Sequence, residues 1–236
     1  MKLSAPLFRL KQQARQLARE AKLPLHVALD RVAVREGFLS WGHLSSIQPK
    51  AKPEAYVLNA LEDGEMLLLA ARPGQGKTVF GLRLIAEAAK NRTQAVFFSV
   101  ECSLKDIKRR LPDQADKDLL RPDGIQIDLS EDLCADLIVD RLSNASRGTV
   151  AVVDYLQVLD QRRTAPELEQ QIKTLKHFAA ERGIRLVFLS QIHRSFDPER
   201  KRLPDFSDLR LPNPLDLSLF SKGCFLHEGQ MALVAN

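Results

Sequence analysis

The stretch that decides the fold reads Leu67-Leu68-Leu69-Ala70-Ala71-Arg72-Pro73-Gly74-Gln75-Gly76-Lys77-Thr78. An apolar strand leads into a loop with two glycines, and a helix predicted over 78–90 follows directly. Small residues allow successive backbone N–H groups to turn inward onto a phosphate, and the N-terminal end of the helix adds positive charge. The stretch therefore predicts a phosphate-binding loop, although Ala71 stands where the usual pattern has its first glycine.

The residues that close this loop indicate a nucleoside triphosphate with Mg²⁺. The Lys77 ammonium is expected to reach the β- and γ-phosphate oxygens, and the Thr78 hydroxyl to join the Mg²⁺ shell. A glycine-bearing turn that binds nothing is the alternative. We predict nucleotide contacts from the whole loop, which comprises Ala71, Arg72, Pro73, Gly74, Gln75, Gly76, Lys77, Thr78 and Val79.

Composition places the chain among ordinary globular proteins. Its 236 residues are 44% hydrophobic and 28% charged, which suits one medium domain and a small appendage. No apolar run approaches the ~20 residues that a bilayer requires, and no secretory signal is recognisable, so we expect a cytoplasmic protein. The widely spaced Cys102, Cys134 and Cys224 indicate reduced packing residues, neither a disulfide framework nor a zinc site.

Positive charge is concentrated near the amino terminus. Residues 1–52 carry a net charge of +7, and the remainder carries −2. Apolar residues from Leu7 to Leu44 recur at helical intervals and predict three short helices in a module spanning 1–48. This module is either a docking or dimerisation element or a helix-turn-helix-like DNA reader. Its charge indicates a polyanionic partner, or simply a solvated helix face.

The polar segment 49–56 contains Pro49 and Pro53 and is predicted as a linker, followed by a second domain over 57–236. In that domain short apolar runs alternate with amphipathic helices, which is typical of a mainly parallel sheet covered on both faces. The predicted strands are Met66–Ala70, Ala95–Val100, Val150–Leu159 and Arg185–Ile192, the helices are 78–90, 131–146 and 167–182, and Cys224–His227 with Gln230–Val234 form a closing hairpin.

Polar side chains follow three of these strands, at the sheet edge where parallel sheets bind ligands. Glu101 is the candidate general base that activates a water beside the γ-phosphate, although an ordinary solvent-facing glutamate is the alternative. Asp154 follows four apolar residues, as expected of a carboxylate in the Mg²⁺ shell. Gln191 is placed to sense the γ-phosphate and to move the loop after it.

The order of these motifs resembles the DnaB-type replicative helicases within the RecA-like ATPases. The resemblance covers about residues 58–222. It is carried by Ala71-Arg72-Pro73 leading into Gly76-Lys77-Thr78, by Phe98-Ser99-Val100-Glu101, by Asp154-Tyr155-Leu156-Gln157, by Leu189-Ser190-Gln191 with Arg194-Ser195, and by Ser207-Asp208-Leu209-Arg210.

The resemblance implies an α/β RecA-like P-loop ATPase core that uses ATP and Mg²⁺ and acts as a helicase or translocase in a ring or filament. Lys77, Glu101 and Gln191 would be catalytic, and Thr78 with Asp154 would hold the metal. Loops 161–171 and 194–206 would face single-stranded DNA. The DNA-binding candidates are Arg162, Arg163, Arg194, Arg200, Lys201, Arg202 and Arg210.

The chain also departs from the family. These helicases complete each site with a basic finger from a neighbouring subunit, placed after the segment matching Asp216–Phe220, and here Lys222 is the only cation after Arg210. A trans-acting finger contributes several orders of magnitude to hydrolysis, and a lysine-finger arrangement of Lys222 is one alternative source. The alternatives are therefore a nucleotide-switched DNA-binding or regulatory protein, which does not unwind processively, and a scaffold with a vestigial site.

Overall fold

The structure, a computed structural model, describes residues 3–5, 7–47, 52–111, 120, 124–160, 166–211 and 213–236. The chain divides into two compact units, Met1–Tyr56 and Val57–Asn236. Within the described ranges, none of the helices has the length and apolar character needed to cross a bilayer.

Three helices make up most of the first unit: α1 at Leu7–Glu20, α2 at Leu25–Arg35 and α3 at Trp41–Ile47. Gly37, at φ 85°, ends the α2 segment, and the Ser40 hydroxyl accepts a hydrogen bond from the His43 N–H at the start of α3. A small apolar core holds the helices together and consists of Leu10, Ala14, Ala28, Val32, Ala33, Phe38 and Leu44.

The segment predicted as a linker contains the start of a helix. Helix α4 spans Pro53–Ala60, and residues 48–51 lie outside the described part of the chain. Proline is tolerated in the first turn of a helix because its missing N–H has no intrahelical partner there. The structure thus differs from the sequence-based expectation at residues 53–56, which are helical.

A seven-stranded sheet forms the second unit, with strand order β3-β2-β4-β5-β1-β6-β7. All neighbouring strands are parallel except the terminal β6–β7 hairpin. The predicted mainly parallel α/β sheet is confirmed. The strands are β1 at Met66–Ala71, β2 at Ala95–Ser99, β3 at Ile125–Asp128, β4 at Val150–Asp154, β5 at Arg185–Gln191, β6 at Lys222–His227 and β7 at Gln230–Ala235.

Helices cover both faces of this sheet. They are α5 at Lys77–Lys90, α6 at Leu104–Arg110, α7 at Ala135–Leu142 and α8 at Leu168–Arg182. Leu68, Val153 and Phe188 share a core with residues of α7 and α8. On the opposite face, a Cβ built on Gly81 of α5 would lie 3.1 Å from Val152 Cγ1 and 3.3 Å from Leu189 Cδ1. Gly81 thus lets α5 lie close against the central strands.

The structure corrects several boundaries. The apolar run Val150–Leu159 predicts one strand, but β4 ends at Asp154 and Leu156–Asp160 forms a 3₁₀ turn. Leu156 and Leu159 are buried as deeply as β4, so hydrophobicity alone does not mark the end of the strand. The helix predicted over 131–146 is shorter, at Ala135–Leu142, and the sequence pattern predicts neither β3 nor α6.

Gly81→Val is expected to lower the free energy of unfolding of the Val57–Asn236 unit by about 1–3 kcal/mol, because the side chain would press α5 away from Val152 and Leu189. Urea unfolding followed by circular dichroism measures this change. Ala89→Val, at a half-buried position of the same helix, is the control and should cost only a few tenths of a kcal/mol in helix propensity. Equal losses in the two variants would contradict close packing at Gly81.

Candidate nucleotide-binding site

The loop between β1 and α5 takes the backbone conformation that its glycines permit. Gly74 has φ 78° and Gly76 has φ 83°, both in the left-handed region that favours glycine. A Cβ on either residue would meet no atom of the protein within 4 Å. The two glycines are therefore required by backbone conformation and not by packing. Lys77 begins α5, so the free N–H groups of its first turn lie at this loop.

Asp154 is a deeply buried charged group at this edge of the sheet. Its side chain is 1% exposed, and its Oδ1 lies 3.8 Å from Lys77 Nζ, whose side chain is 13% exposed. Neither Asp154 oxygen has a hydrogen-bond partner of normal geometry among the described residues. Burial raises the pKa of Asp154, while the neighbouring Lys77 charge and the Thr78 hydroxyl oppose that rise. A buried carboxylate in this state lacks the hydrogen bonds that normally offset the loss of water.

This arrangement fits a Mg²⁺ ion held jointly with a phosphate. Two unpartnered carboxylate oxygens are the hard ligands that Mg²⁺ prefers, and Thr78 supplies a hydroxyl in the first turn of α5. The described residues contain no group of three or more His, Cys, Asp or Glu side chains that would hold a metal by themselves. Mg²⁺ is typically bound by one or two carboxylates together with substrate phosphates.

Glu101 lies just beyond the end of β2, on the strand next to Asp154. Ser99 pairs with Asp154 in the sheet register, so Glu101 follows two residues later at the same edge. The Ser99 hydroxyl accepts hydrogen bonds from the Glu101 and Cys102 N–H groups, both at 3.2 Å, and fixes the chain as it leaves the strand. The Glu101 side chain is exposed and lies on the predicted edge.

Arg110 is a residue of this region that sequence reasoning misses. Its Nη1 lies 2.9 Å from the Cys102 sulfur, and its charge helps to lower the Asp154 pKa against the dominant effect of burial. Helix α6 carries it there. A capping box between Ser103 and Asp106 begins this helix, and that four-residue signature is visible in the sequence.

Gln191 ends β5 beside the loop. It pairs with Ala71 in the register of β1 and β5. Its carbonyl accepts a hydrogen bond from the Arg210 N–H at 2.8 Å, and its Oε1 lies 3.5 Å from Arg210 Nη1. Buried Gln157 holds the same region by donating to the Ser190 hydroxyl and to the Arg210 carbonyl. Gln191 thus joins the phosphate-loop edge to the segment around Arg210.

The cations predicted to bind DNA have unequal surroundings. The Arg200 side chain is 89% exposed and its Nε lies 3.5 Å from Asp197 Oδ2, whereas Lys201 is paired with both Asp205 and Asp208. Arg202 Nε donates to Gln230 Oε1 at 3.0 Å. Arg194 is exposed, and its carbonyl accepts a hydrogen bond from Arg72 of the loop at 3.3 Å. Of the predicted loop 161–171, residues 161–165, with Arg162 and Arg163, lie outside the described part of the chain. The expected loop end at 171 is wrong, because α8 begins at Leu168.

Lys222 lies away from the phosphate loop. It begins β6 and pairs in register with Leu67, near the amino end of β1, whereas the loop follows the carboxyl end of that strand. Its ammonium forms an ion pair with Glu65. Within the chain, Lys222 is therefore engaged at the opposite edge of the sheet.

The profile of the DnaB-like helicase C terminal domain matches residues 55–121 and 123–214, well over half of the chain. The chain belongs to this family. The match includes the loop, the three strand-end residues Glu101, Asp154 and Gln191, and the 194–206 segment. The predicted resemblance to DnaB-type helicases is confirmed.

Curated relatives agree with this assignment. The chain is 28% identical over 203 residues to replicative DNA helicase DnaB of Synechocystis sp., covering 71% of the chain and 23% of that protein. It is 30% identical over 200 residues to DnaB of Buchnera aphidicola subsp. Schizaphis graminum, covering 69% of the chain and 43% of that protein. The chain thus spans 23% to 43% of the length of these relatives.

Solved structures support the RecA-like fold. One that contains an ATPase domain aligns with a TM-score of 0.58 at 21% identity, covering 75% of each chain. A DnaB-like replicative helicase, described with its interactions with primase, aligns with a TM-score of 0.59 at 19% identity, covering 93% of this chain and 66% of the other.

Asp154→Asn is expected to change how the stability of the nucleotide-free protein depends on pH. Because burial raises the Asp154 pKa, the folded state holds the carboxyl proton more tightly than the unfolded chain. The stabilisation from this proton is complete at pH values below the pKa of Asp154 in the unfolded chain. It is lost as the pH rises through the pKa of Asp154 in the folded protein. The variant should gain stability relative to the parent from about pH 4 upward, by ~1.4 kcal/mol for each unit of pKa elevation.

Urea unfolding in EDTA at a series of pH values measures this difference. Asp140→Asn, at a side chain that is 76% exposed, provides the control and should leave the pH profile of the parent nearly unchanged. The free energy of unfolding of Asp154→Asn is compared with that of the parent. If the gain of the variant stays constant or shrinks with rising pH, the buried, charged state of Asp154 is contradicted.

Proposed function

We propose that the chain binds and hydrolyses ATP and acts as a DnaB-like helicase or translocase on single-stranded DNA. Residues 57–236 would be the motor domain, with 1–48 as a separate basic module. The observation that carries the proposal is the buried Asp154 carboxylate, which has no hydrogen-bond partner of normal geometry among the described residues and lies 3.8 Å from Lys77. A bound metal ion and its phosphates would supply the partners that this buried carboxylate lacks.

Each residue at this edge has a role that its position supports. Lys77 would neutralise charge on the β- and γ-phosphates, while Thr78 and Asp154 would hold Mg²⁺. When bound, Mg²⁺ supplies positive charge to the phosphate oxygens. Exposed Glu101 would orient the attacking water and accept its proton. Gln191 would bind at the γ-phosphate end.

Hydrogen bonds connect this edge to the predicted DNA-binding segment. Arg72 of the loop donates to the Arg194 carbonyl, and Gln191 is bonded to Arg210 through the backbone. A change at the γ-phosphate would therefore displace both ends of the 194–210 segment. This connection supports the proposal that nucleotide state controls DNA contact.

A nucleotide-switched DNA-binding or regulatory protein is the second candidate. The observation that favours it is the Lys222–Glu65 ion pair, which engages within the chain the cation that would serve as a trans-acting finger. Without a basic finger from a neighbouring subunit, a ring or filament of this chain would hydrolyse ATP slowly. A forked DNA substrate separates the candidates, because only the helicase separates its strands.

Glu101→Gln is expected to lower the steady-state rate of ATP hydrolysis by about 10²- to 10⁴-fold while retaining nucleotide binding, because only the general base is lost. Lys77→Ala should lose nucleotide binding itself, since the charge that faces the phosphates is removed. A coupled-enzyme ATPase assay and titration of a fluorescent ATP analogue measure the two effects.

The matched control is Glu181→Gln, whose side chain is 68% exposed on α8 and which should hydrolyse ATP at the parental rate. If Glu101→Gln hydrolyses ATP at the parental rate, Glu101 is not the general base. Normal nucleotide binding by Lys77→Ala would contradict the proposed phosphate site as a whole.

Arg200→Gln is expected to weaken binding to oligo(dT) and to reduce the slope of log affinity against log salt by about 0.7, the value for one phosphate contact on a single strand. Fluorescence anisotropy between about 50 and 200 mM salt, the range in which such contacts dominate, measures the slope. Exposed Arg92, which precedes β2 at the amino edge of the sheet, gives the matched control Arg92→Gln. Equal slopes for both variants would place the DNA path elsewhere.

A further inference from the structure

The first unit carries a regular row of cations along α1. Lys11, Arg15 and Arg19 follow one another at four-residue intervals on the helix, and Lys22 lies just past its end, in a turn with φ 50°. Residues four apart on a helix lie on one side of it, about 6 Å apart along the axis. Leu10 and Ala14, fully buried in the core, occupy a different side of α1. We call these four cations the α1 stripe.

No acidic side chain among the described residues pairs with the α1 stripe. Lys11, Arg19 and Lys22 are exposed and Arg15 is half-buried. Three acids of the same unit are engaged elsewhere, and the fourth, Glu54, is buried. Glu20 accepts a hydrogen bond from Gln16, Asp30 accepts one from the Trp41 N–H, and Glu36 binds Ser4.

A like-charged row of this kind weakens the helix that carries it. Each like-charge pair at four-residue spacing destabilises an isolated helix by roughly 0.2–0.5 kcal/mol. In contrast, exposed Lys173 of α8 is paired with Glu169, an acid at this spacing. The α1 stripe therefore has the charge pattern of a surface for a polyanion and not that of a self-compensated helix face.

The surroundings of the stripe favour duplex over single-stranded nucleic acid. Proteins that bind single strands combine positive charge with exposed aromatic rings on which bases stack. Among the described side chains of this unit, which do not include that of Phe8, no Phe, Tyr or Trp is exposed, since Phe38 is buried and Trp41 and Tyr56 are half-buried. Duplex DNA offers a rigid backbone with one negative charge per ~1.7 Å of axis, and its major groove admits an α-helix.

We propose that the α1 stripe is a second nucleic-acid site, which binds the phosphate backbone of duplex DNA without reading its sequence. This site is distinct from the phosphate-loop edge and from the 194–206 segment. It would hold the protein on duplex DNA in the absence of nucleotide. DNA binding at this site requires neither Lys77 nor Glu101. An experiment can therefore contradict the proposed ATP hydrolysis without contradicting this site, and the reverse also holds.

The test compares two double variants of the full chain, each of which loses two positive charges from the first unit. Lys11→Gln with Arg19→Gln removes exposed members of the α1 stripe, and Arg31→Gln with Arg35→Gln removes exposed cations of α2. Binding to a blunt duplex and to oligo(dT) is measured by anisotropy without nucleotide, across salt concentrations. Lys77→Ala, measured alongside, should bind the duplex as the parent does.

The stripe variant should lose roughly 10- to 100-fold in duplex affinity at about 0.1 M salt, and its log–log salt slope should fall by about 2. Its melting temperature should equal or exceed that of the parent, because like-charge repulsion within α1 is relieved. Retained duplex affinity, an equal loss in the α2 variant, or an equal loss on oligo(dT) would each overturn the proposal.

Discussion

The buried carboxylate of Asp154 is the constraint on which the candidate site depends. It lies at the end of β4 inside the sheet, 1% exposed, with Lys77 Nζ at 3.8 Å as its ion-pair partner. The parallel order β2-β4-β5-β1 brings the ends of four strands to the same edge. Asp154 thereby faces the phosphate loop. The backbone N–H groups of this loop and of the α5 N-terminus carry partial positive charge, which is opposite in sign to the carboxylate.

Contacts also connect that edge to the neighbouring parts of the second unit. Gln75 of the loop accepts a hydrogen bond from the Glu228 N–H in the β6–β7 turn. Phe196, after β5, packs edge-on against buried His227 at the end of β6, with ring centroids 5.3 Å apart. The loop, the hairpin and the 194–206 segment thus form one connected set of contacts.

Sequence patterns predict most of this architecture because local and tertiary preferences agree in the central strands. They place β1, the glycine loop and α5 to within one residue, since an apolar run, two glycines and a helical period mark these elements in turn. The same logic predicts the strand-end residues Glu101, Asp154 and Gln191, and the structure has them at the expected edge.

What the sequence does not reveal depends on contacts between distant residues. The end of β4 is hidden in a continuous apolar run, and the short strand β3 has too few residues for a visible period. Arg110, at the end of α6, reaches Cys102, which lies eight residues earlier and just before that helix. The ion pairs of Lys201 with Asp205 and Asp208 likewise form only in the folded chain. Because of these pairs, the cations of this basic cluster differ in their surroundings.

Calorimetric titration tests directly whether Asp154 holds Mg²⁺ together with a nucleotide. A non-hydrolysable ATP analogue is titrated into the full chain, in Mg²⁺ and in EDTA, for the parent and for Asp154→Asn. We expect one site per chain, tight binding of the parent only with Mg²⁺, and a dependence on Mg²⁺ that is much reduced in the variant. Equal affinity of the parent in Mg²⁺ and in EDTA, or an unchanged Mg²⁺ dependence in Asp154→Asn, would contradict this expectation.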